Sequence, residues 1–101
     1  MSDFAASIDR LLNQVRHWEE SRWAASKGHN SKADLTYGLV QHLADLAAAA
    51  EGRAPREVPR LHDLVLPDQL RVVADDFVNA DPAPPLLTQA TTAVETLRAA
   101  L

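Results

Sequence analysis

The sequence predicts an all-α fold: a compact four-helix bundle with a proline-punctuated arm between the second and third helices. Alanine and leucine, both strong helix formers, supply 18 and 14 of the 101 residues, whereas glycine occurs only three times. Apolar residues recur at helical spacing in four segments, and stretches with glycine or proline separate those segments. Four amphipathic helices bury their apolar stripes best by packing against one another.

Length and composition exclude several classes of protein. A chain of 101 residues fits a single domain, here residues 1–101. The absence of cysteine excludes a disulfide framework, a thiolate zinc site and a cysteine nucleophile. The net charge is −4 and no basic run offsets the acidic residues, so nucleic acid is not an expected partner.

The compartment is predicted from segments that the sequence lacks. No stretch approaches the roughly 20 apolar residues that a membrane span needs, so no membrane association is expected. The start of the chain has neither a basic region nor an apolar region of the kind found in signal peptides. We therefore expect a cytoplasmic protein. Abundant alanine, with arginine outnumbering lysine, is typical of a GC-rich bacterial genome.

The first helix is predicted over residues 3–23, with Ser2 as its N-cap. Residues 24–30 are predicted to form a loop because Gly28 lies within a polar run. The apolar stripe of this helix follows spacings of four and three residues and consists of Phe4, Ile8, Leu11, Val15 and Trp18.

The second helix is predicted over residues 32–51. Ser31 and Asp34 have the spacing of a capping box at its start, and Gly52 stands where a glycine commonly ends a helix. Its apolar stripe consists of Leu35, Leu39, Leu43, Leu46 and Ala50.

Residues 53–66 are predicted to form an extended arm because Pro55 and Pro59 fix the backbone and disfavour helix before them. A short helical turn is possible at 62–65. The apolar residues expected to pin the arm to the bundle are Val58, Leu61, Leu64 and Leu66.

The third helix is predicted to begin at Pro67, because proline suits the first turn of a helix. The proline-rich stretch 81–85 then ends it, and the fourth helix runs from about residue 86 to the end of the chain. The stripe of the third helix consists of Leu70, Val73, Ala74, Phe77 and Val78, and that of the fourth of Leu87, Ala90, Thr91, Val94, Leu97 and Leu101.

No motif predicts a catalytic site, a cofactor or a resident metal. No two of the four histidines have the i, i+3 or i+4 spacing that preorganises zinc ligands on one helix. A metal site would require His42, His17 and His62 to converge from separate elements. Adjacent carboxylates such as Asp75 and Asp76 point about 100° apart on a helix, which favours a solvated face over a shared-proton pair.

The segment Trp23-Ala24-Ala25, followed by a loop, Asp34-Leu35 and a helix bearing His42-Leu43-Ala44, resembles the opening of DinB-like, mycothiol-dependent four-helix enzymes. The resemblance covers about half the chain. In that family the histidine of the second helix is one of three metal ligands, so the resemblance implies metal binding by His42. The family's later pair of histidines has no match in this sequence.

Two tryptophans and the arm suggest a binding surface. Trp18 and Trp23 would lie about 140° apart on a continuous helix, so either both lie in the core or one is partly exposed and available to a partner. The arm is expected to bring Arg56 and Arg60 near the indoles, where a guanidinium stacks favourably. The sequence thus favours a non-catalytic protein-interaction module that self-associates or docks a protein, over a DinB-like binder of metal or a small ligand.

Overall fold

Helices form 73% of the computed structural model, which describes residues 3–101. The described chain contains five α-helices: α1 Asp3–Val15, α2 Glu20–Ala24, α3 Lys32–Glu51, α4 Leu66–Asn79 and α5 Pro84–Ala100. A 3-10 turn, Asp63–Val65, precedes α4. The all-α prediction is confirmed. The four-helix prediction holds only in part, because the short α2 is a separate fifth helix. Ser2, predicted as an N-cap, lies outside the described residues.

The first helix ends at Val15 and does not continue to Trp23. A turn follows in which the N–H of Trp18 donates to the carbonyl of Val15 at 3.0 Å, and α2 begins at Glu20. This break lets both indoles turn inward, with 9% of Trp18 and 1% of Trp23 exposed. Their rings pack edge to face with centroids 4.9 Å apart. Burial of the two aromatic rings stabilises the fold and offsets the helical hydrogen bonds that are missing at the break.

The predicted loop at 24–30 contains a minimal antiparallel hairpin. Its strands are β1 Ser26–Lys27 and β2 Asn30–Ser31, and Gly28 in the turn has a φ of +69°, a conformation that favours glycine. Ser31 ends β2 and caps α3. Its side chain accepts from the backbone of Asp34, and the carboxylate of Asp34 accepts from the backbone of Ser31, each at 3.0 Å. The predicted capping box is confirmed.

The long helix α3 is the centre of the fold and packs against α4 and α5. It ends at Glu51, as predicted, because Gly52 adopts the left-handed conformation with φ 69°. The fully or nearly fully buried apolar residues of α3 are Ala33, Leu39, Val40, Leu43, Leu46, Ala47 and Ala48.

Proline marks the first turn of both remaining helices. Pro67 lies in the first turn of α4, which begins one residue earlier, and α5 begins at Pro84 rather than near residue 86. First-turn N–H groups need no helical partner, so Pro84 and Pro85 fit at the start of α5. The predicted stripe of α4 is buried except for Val78, which is 48% exposed. None of the described helices has the length and hydrophobicity needed to cross a membrane.

A polar network joins α1 to α5 beside the core. The hydroxyl of the buried Ser7 donates to Oε2 of Glu95, and Arg98 donates to Oε1 of the same carboxylate at 3.0 Å. Arg10 approaches Oε2 at 3.4 Å. The hydrogen bond from Ser7, together with the two guanidinium groups, lowers the pKa of Glu95 below its ordinary value of 4.5.

This network predicts acid sensitivity. The folded-state pKa of Glu95 lies below its unfolded value, so its contribution to stability is present above about pH 4.5 and is lost as the pH falls through the folded pKa. We expect Glu95→Gln to weaken the fall in the free energy of unfolding over that range. Denaturant titrations at several pH values measure it, with Glu57→Gln as the control. Equal pH dependence in wild type and Glu95→Gln would contradict the assignment.

Candidate interaction surface

The predicted arm divides into three parts. Residues 53–62 have no regular secondary structure, residues 63–65 form the 3-10 turn, and Leu66 already belongs to α4. Val58 packs against the core and Leu66 is fully buried, as predicted. Leu61 and Leu64 do not pin the arm, because 50% and 47% of these side chains are exposed.

Three side chains from α3 and α4 hold residues 53–62 in place. The amide of Gln41 binds this segment twice: Nε2 donates to the carbonyl of Arg56 at 2.9 Å, and Oε1 accepts from the N–H of Val58 at 2.7 Å. The hydroxyl of Tyr37 donates to the carbonyl of Val58. Gln69 of α4 donates to the carbonyl of Pro59 at 3.0 Å. The segment is thus held against two helices through its backbone.

Loss of the Gln41 contacts predicts a looser arm. Each hydrogen bond contributes about 0.5–1.5 kcal/mol, so Gln41→Ala should lower the free energy of unfolding by about 1–3 kcal/mol. Local opening should also expose the Arg56–Glu57 bond, so we expect faster trypsin cleavage there. Gln89→Ala, at an exposed position of α5, is the matched control. Equal cleavage rates in the two variants would contradict this role of Gln41.

Arg60 is fixed by charge and by an aromatic ring. Its guanidinium lies 3.1 Å from Asp34 and 3.6 Å from Asp63, and 4.9 Å from the ring centroid of Tyr37. The pKa of Asp34 is lowered, mainly by the hydrogen bond from the backbone N–H of Ser31 and next by the hydrogen bond from Arg60. The sequence predicted that Arg60 stacks on a tryptophan. This prediction is wrong, because Arg60 lies over the ring of Tyr37 instead.

The two tryptophans lie inside the fold, with cations over one of them. Arg22 and Lys32 lie 4.9 Å and 5.2 Å from the ring centroid of Trp18. The helix that carries Trp23 contacts the 3-10 turn at the end of the arm, where His62 lies 3.6 Å from Glu20. The structure therefore brings the tryptophan end and the arm together, with the indoles beneath the surface.

An apolar groove lies between residues 53–62 and α4. We call the surface that contains it the arm–α4 surface, defined by Val58, Val65, Asp68, Val72 and Val73. Its volume is about 240 Å³, and Gln69 completes the lining. Val72 is 58% exposed, more than the other exposed large apolar residues among residues 3–101, and Leu64 lies immediately before Val65. Exposed valine and leucine beside an apolar groove make this surface the candidate for contact with a partner.

A second groove continues this surface toward the start of the arm. Its volume is about 210 Å³, and it shares Val58 and Val73 with the first. Arg56, one of the two arginines predicted to contact a partner, lines it. Its guanidinium has no ion-pair partner within residues 3–101 and is therefore available to a ligand.

The four histidines lie on separate elements of the fold. His42 is half buried on α3, whereas His17 and His62 are exposed in the turn after α1 and in the arm. Across residues 3–101, no three His, Asp or Glu side chains are grouped so that they could hold a metal ion.

Metal content remains a testable prediction. We expect the purified protein to lack stoichiometric zinc, nickel or iron, because no histidine pair has the spacing that preorganises ligands. Elemental analysis of the purified protein measures it. Tight one-to-one metal that disappears in His42→Ala would contradict the prediction and support the metal-binding alternative that the DinB-like resemblance implies.

The residues that hold the arm were missed in the sequence. Tyr37 and Gln41 lie one helical turn apart on α3, beside its apolar stripe, and that spacing is the one signal that could have drawn attention to them. Comparison with family models, with curated proteins and with solved structures gives no significant match.

Proposed function

We propose that this chain is a cytoplasmic helical protein-interaction module without catalytic activity, and that it binds its partner through the arm–α4 surface. The observation that carries the proposal is the exposed Val72 beside an apolar groove, on a helix whose opposite face is buried in the core. A module of this kind uses helices as a rigid base and a few apolar anchors for affinity.

Rigidity of the surface supports the proposal. The backbone of residues 56–59 is hydrogen-bonded to α3 and α4, so binding need not order it. Binding to a preorganised groove costs less conformational entropy than binding to a flexible loop, because the loop must become ordered in the complex. The packed helices supply the base, and α2, which carries the buried Trp23, contacts the 3-10 turn at the end of the arm.

Affinity capture from the native cell tests the proposal, with the bound species identified by mass. We expect Val72→Glu to lose the partner, because a charge would enter the groove, and Val78→Glu to retain it. Val78 is 48% exposed on the same helix but lies beside α1, so it is a matched control. Circular dichroism confirms the folding of both variants. Equal capture by the two variants, or no specific partner for wild type, would overturn the proposal.

A further inference from the structure

The arm–α4 surface and the groove that continues it carry more unpaired negative than positive charge. Asp68, Asp76 and Glu57 are exposed, and their carboxylates form no hydrogen bond or ion pair within residues 3–101. Among the described residues that line the two grooves, Arg56 is the one guanidinium without a hydrogen-bond or ion-pair partner. Arg53 also lines the second groove but pairs with Glu51 at 3.1 Å.

Two of the three carboxylates on α4, those of Asp68 and Asp76, border the apolar lining, whereas Asp75 pairs with Arg71. Asp68 and Asp76 are eight residues apart, which is about 12 Å along a helix that rises 1.5 Å per residue. Val72 lies midway between them, one turn from each. The order along the helix is thus a carboxylate, an exposed apolar side chain and a second carboxylate.

We propose that the arm–α4 surface, together with the groove that continues it, binds a basic polypeptide segment, which inserts an apolar side chain beside Val72 and places lysine or arginine against Asp68 and Asp76. This inference rests on the proposed function, since it names the partner of the same surface. Opposite charges flanking an apolar anchor fix the register of a bound peptide and increase its association rate.

The charges disfavour other occupants. A two-fold contact between copies of this chain would bring the same acidic surface against itself, and like charges facing each other oppose association. Nucleic acid and anionic lipid carry phosphates, which the carboxylates repel. The protein's net charge of −4 acts in the same direction.

Two synthetic peptides test the inference by fluorescence polarisation and by backbone amide shifts in nuclear magnetic resonance. The first is a short amphipathic peptide of leucine and lysine, and the second is the same peptide with glutamate in place of lysine. We expect the lysine peptide to bind at least about tenfold more tightly, with its largest amide shifts at residues 56–58 and 68–76. We also expect its affinity to fall as salt increases.

Matched variants separate a specific site from general attraction to an acidic protein. The double change Asp68→Asn with Asp76→Asn should weaken binding of the lysine peptide about tenfold. The double change Asp3→Asn with Glu19→Gln removes the same charge elsewhere and should leave binding nearly unchanged. Val72→Ser should weaken binding more than Val78→Ser.

Three results would overturn the inference: no preference for the lysine peptide, equal loss in the two double variants, or shifts spread over the whole molecule. If wild type dimerises through Val72 instead, the occupant is a second copy and the inference is wrong. If native capture depends on Val72 while the peptides show no preference, the proposed function stands and the inference about the partner's charge fails.

Discussion

Replacing Trp23 with alanine is expected to lower the free energy of unfolding by about 3–5 kcal/mol, the usual cost of truncating a buried aromatic side chain. Trp23 is 1% exposed and packs edge to face against Trp18. It is also the one buried residue of α2, so its loss removes the anchor of that helix. Because whole domains are stable by about 5–15 kcal/mol, this loss is a large fraction of the total stability.

Denaturant titration followed by circular dichroism measures the effect. Trp23→Phe is the control, because it keeps an aromatic ring against Trp18 and should cost clearly less than alanine. A change below about 1 kcal/mol for Trp23→Ala would be typical of an exposed position. That result would show that Trp23 is available to a partner and does not belong to the core.

Leu43→Ala should lower the free energy of unfolding by about 2–5 kcal/mol, because the truncation leaves a cavity in a close-packed interior. Leu43 is fully buried on α3, the helix that contacts both α4 and α5. The same substitution at Leu64, which is 47% exposed, is the matched control and should change stability by less than about 0.5 kcal/mol.

The difference between these two leucine variants is the informative quantity. Both remove the same atoms, so their effects on the unfolded chain are similar and the contrast reports burial. Equal destabilisation by Leu43→Ala and Leu64→Ala would show that the buried face of α3 or the exposed turn before α4 is wrongly placed.

The ends of α3 could be predicted because local side chains set them. Ser31 and Asp34 satisfy each other's backbone groups over three residues, and Gly52 adopts a left-handed conformation that disfavours other residues. Such signals need no knowledge of tertiary contacts. The first residues of α4 and α5 followed from proline in the same way, to within two residues.

The end of α1 could not be predicted in this way. Its apolar spacing continues through Trp18, so periodicity alone favours a longer helix. What ends α1 at Val15 is a tertiary gain, the burial of Trp18 and Trp23 against each other, which one unbroken helix face could not provide. Leu61 and Leu64 were likewise predicted to be buried because they are apolar, but both are exposed, since an apolar residue near a core need not enter it.

Only part of the candidate site was visible in the sequence. Proline spacing predicted an extended arm, but not the side chains that hold it, because Tyr37 and Gln41 bond to Val58 from 21 and 17 residues away. Arg60 was predicted to meet an aromatic ring and does, but Asp34 and Asp63 draw it to Tyr37. Periodicity indicates which faces are buried, whereas polar partners depend on the folded chain.

Hydrogen–deuterium exchange of the complex with a partner captured from the native cell is the most direct test of partner binding at the arm–α4 surface. We expect binding to slow exchange at residues 56–76, where the groove and its flanking carboxylates lie, and to leave α5 unchanged. Slowed exchange confined to the α1 and α5 side, with residues 56–76 unaffected, would contradict binding at this surface.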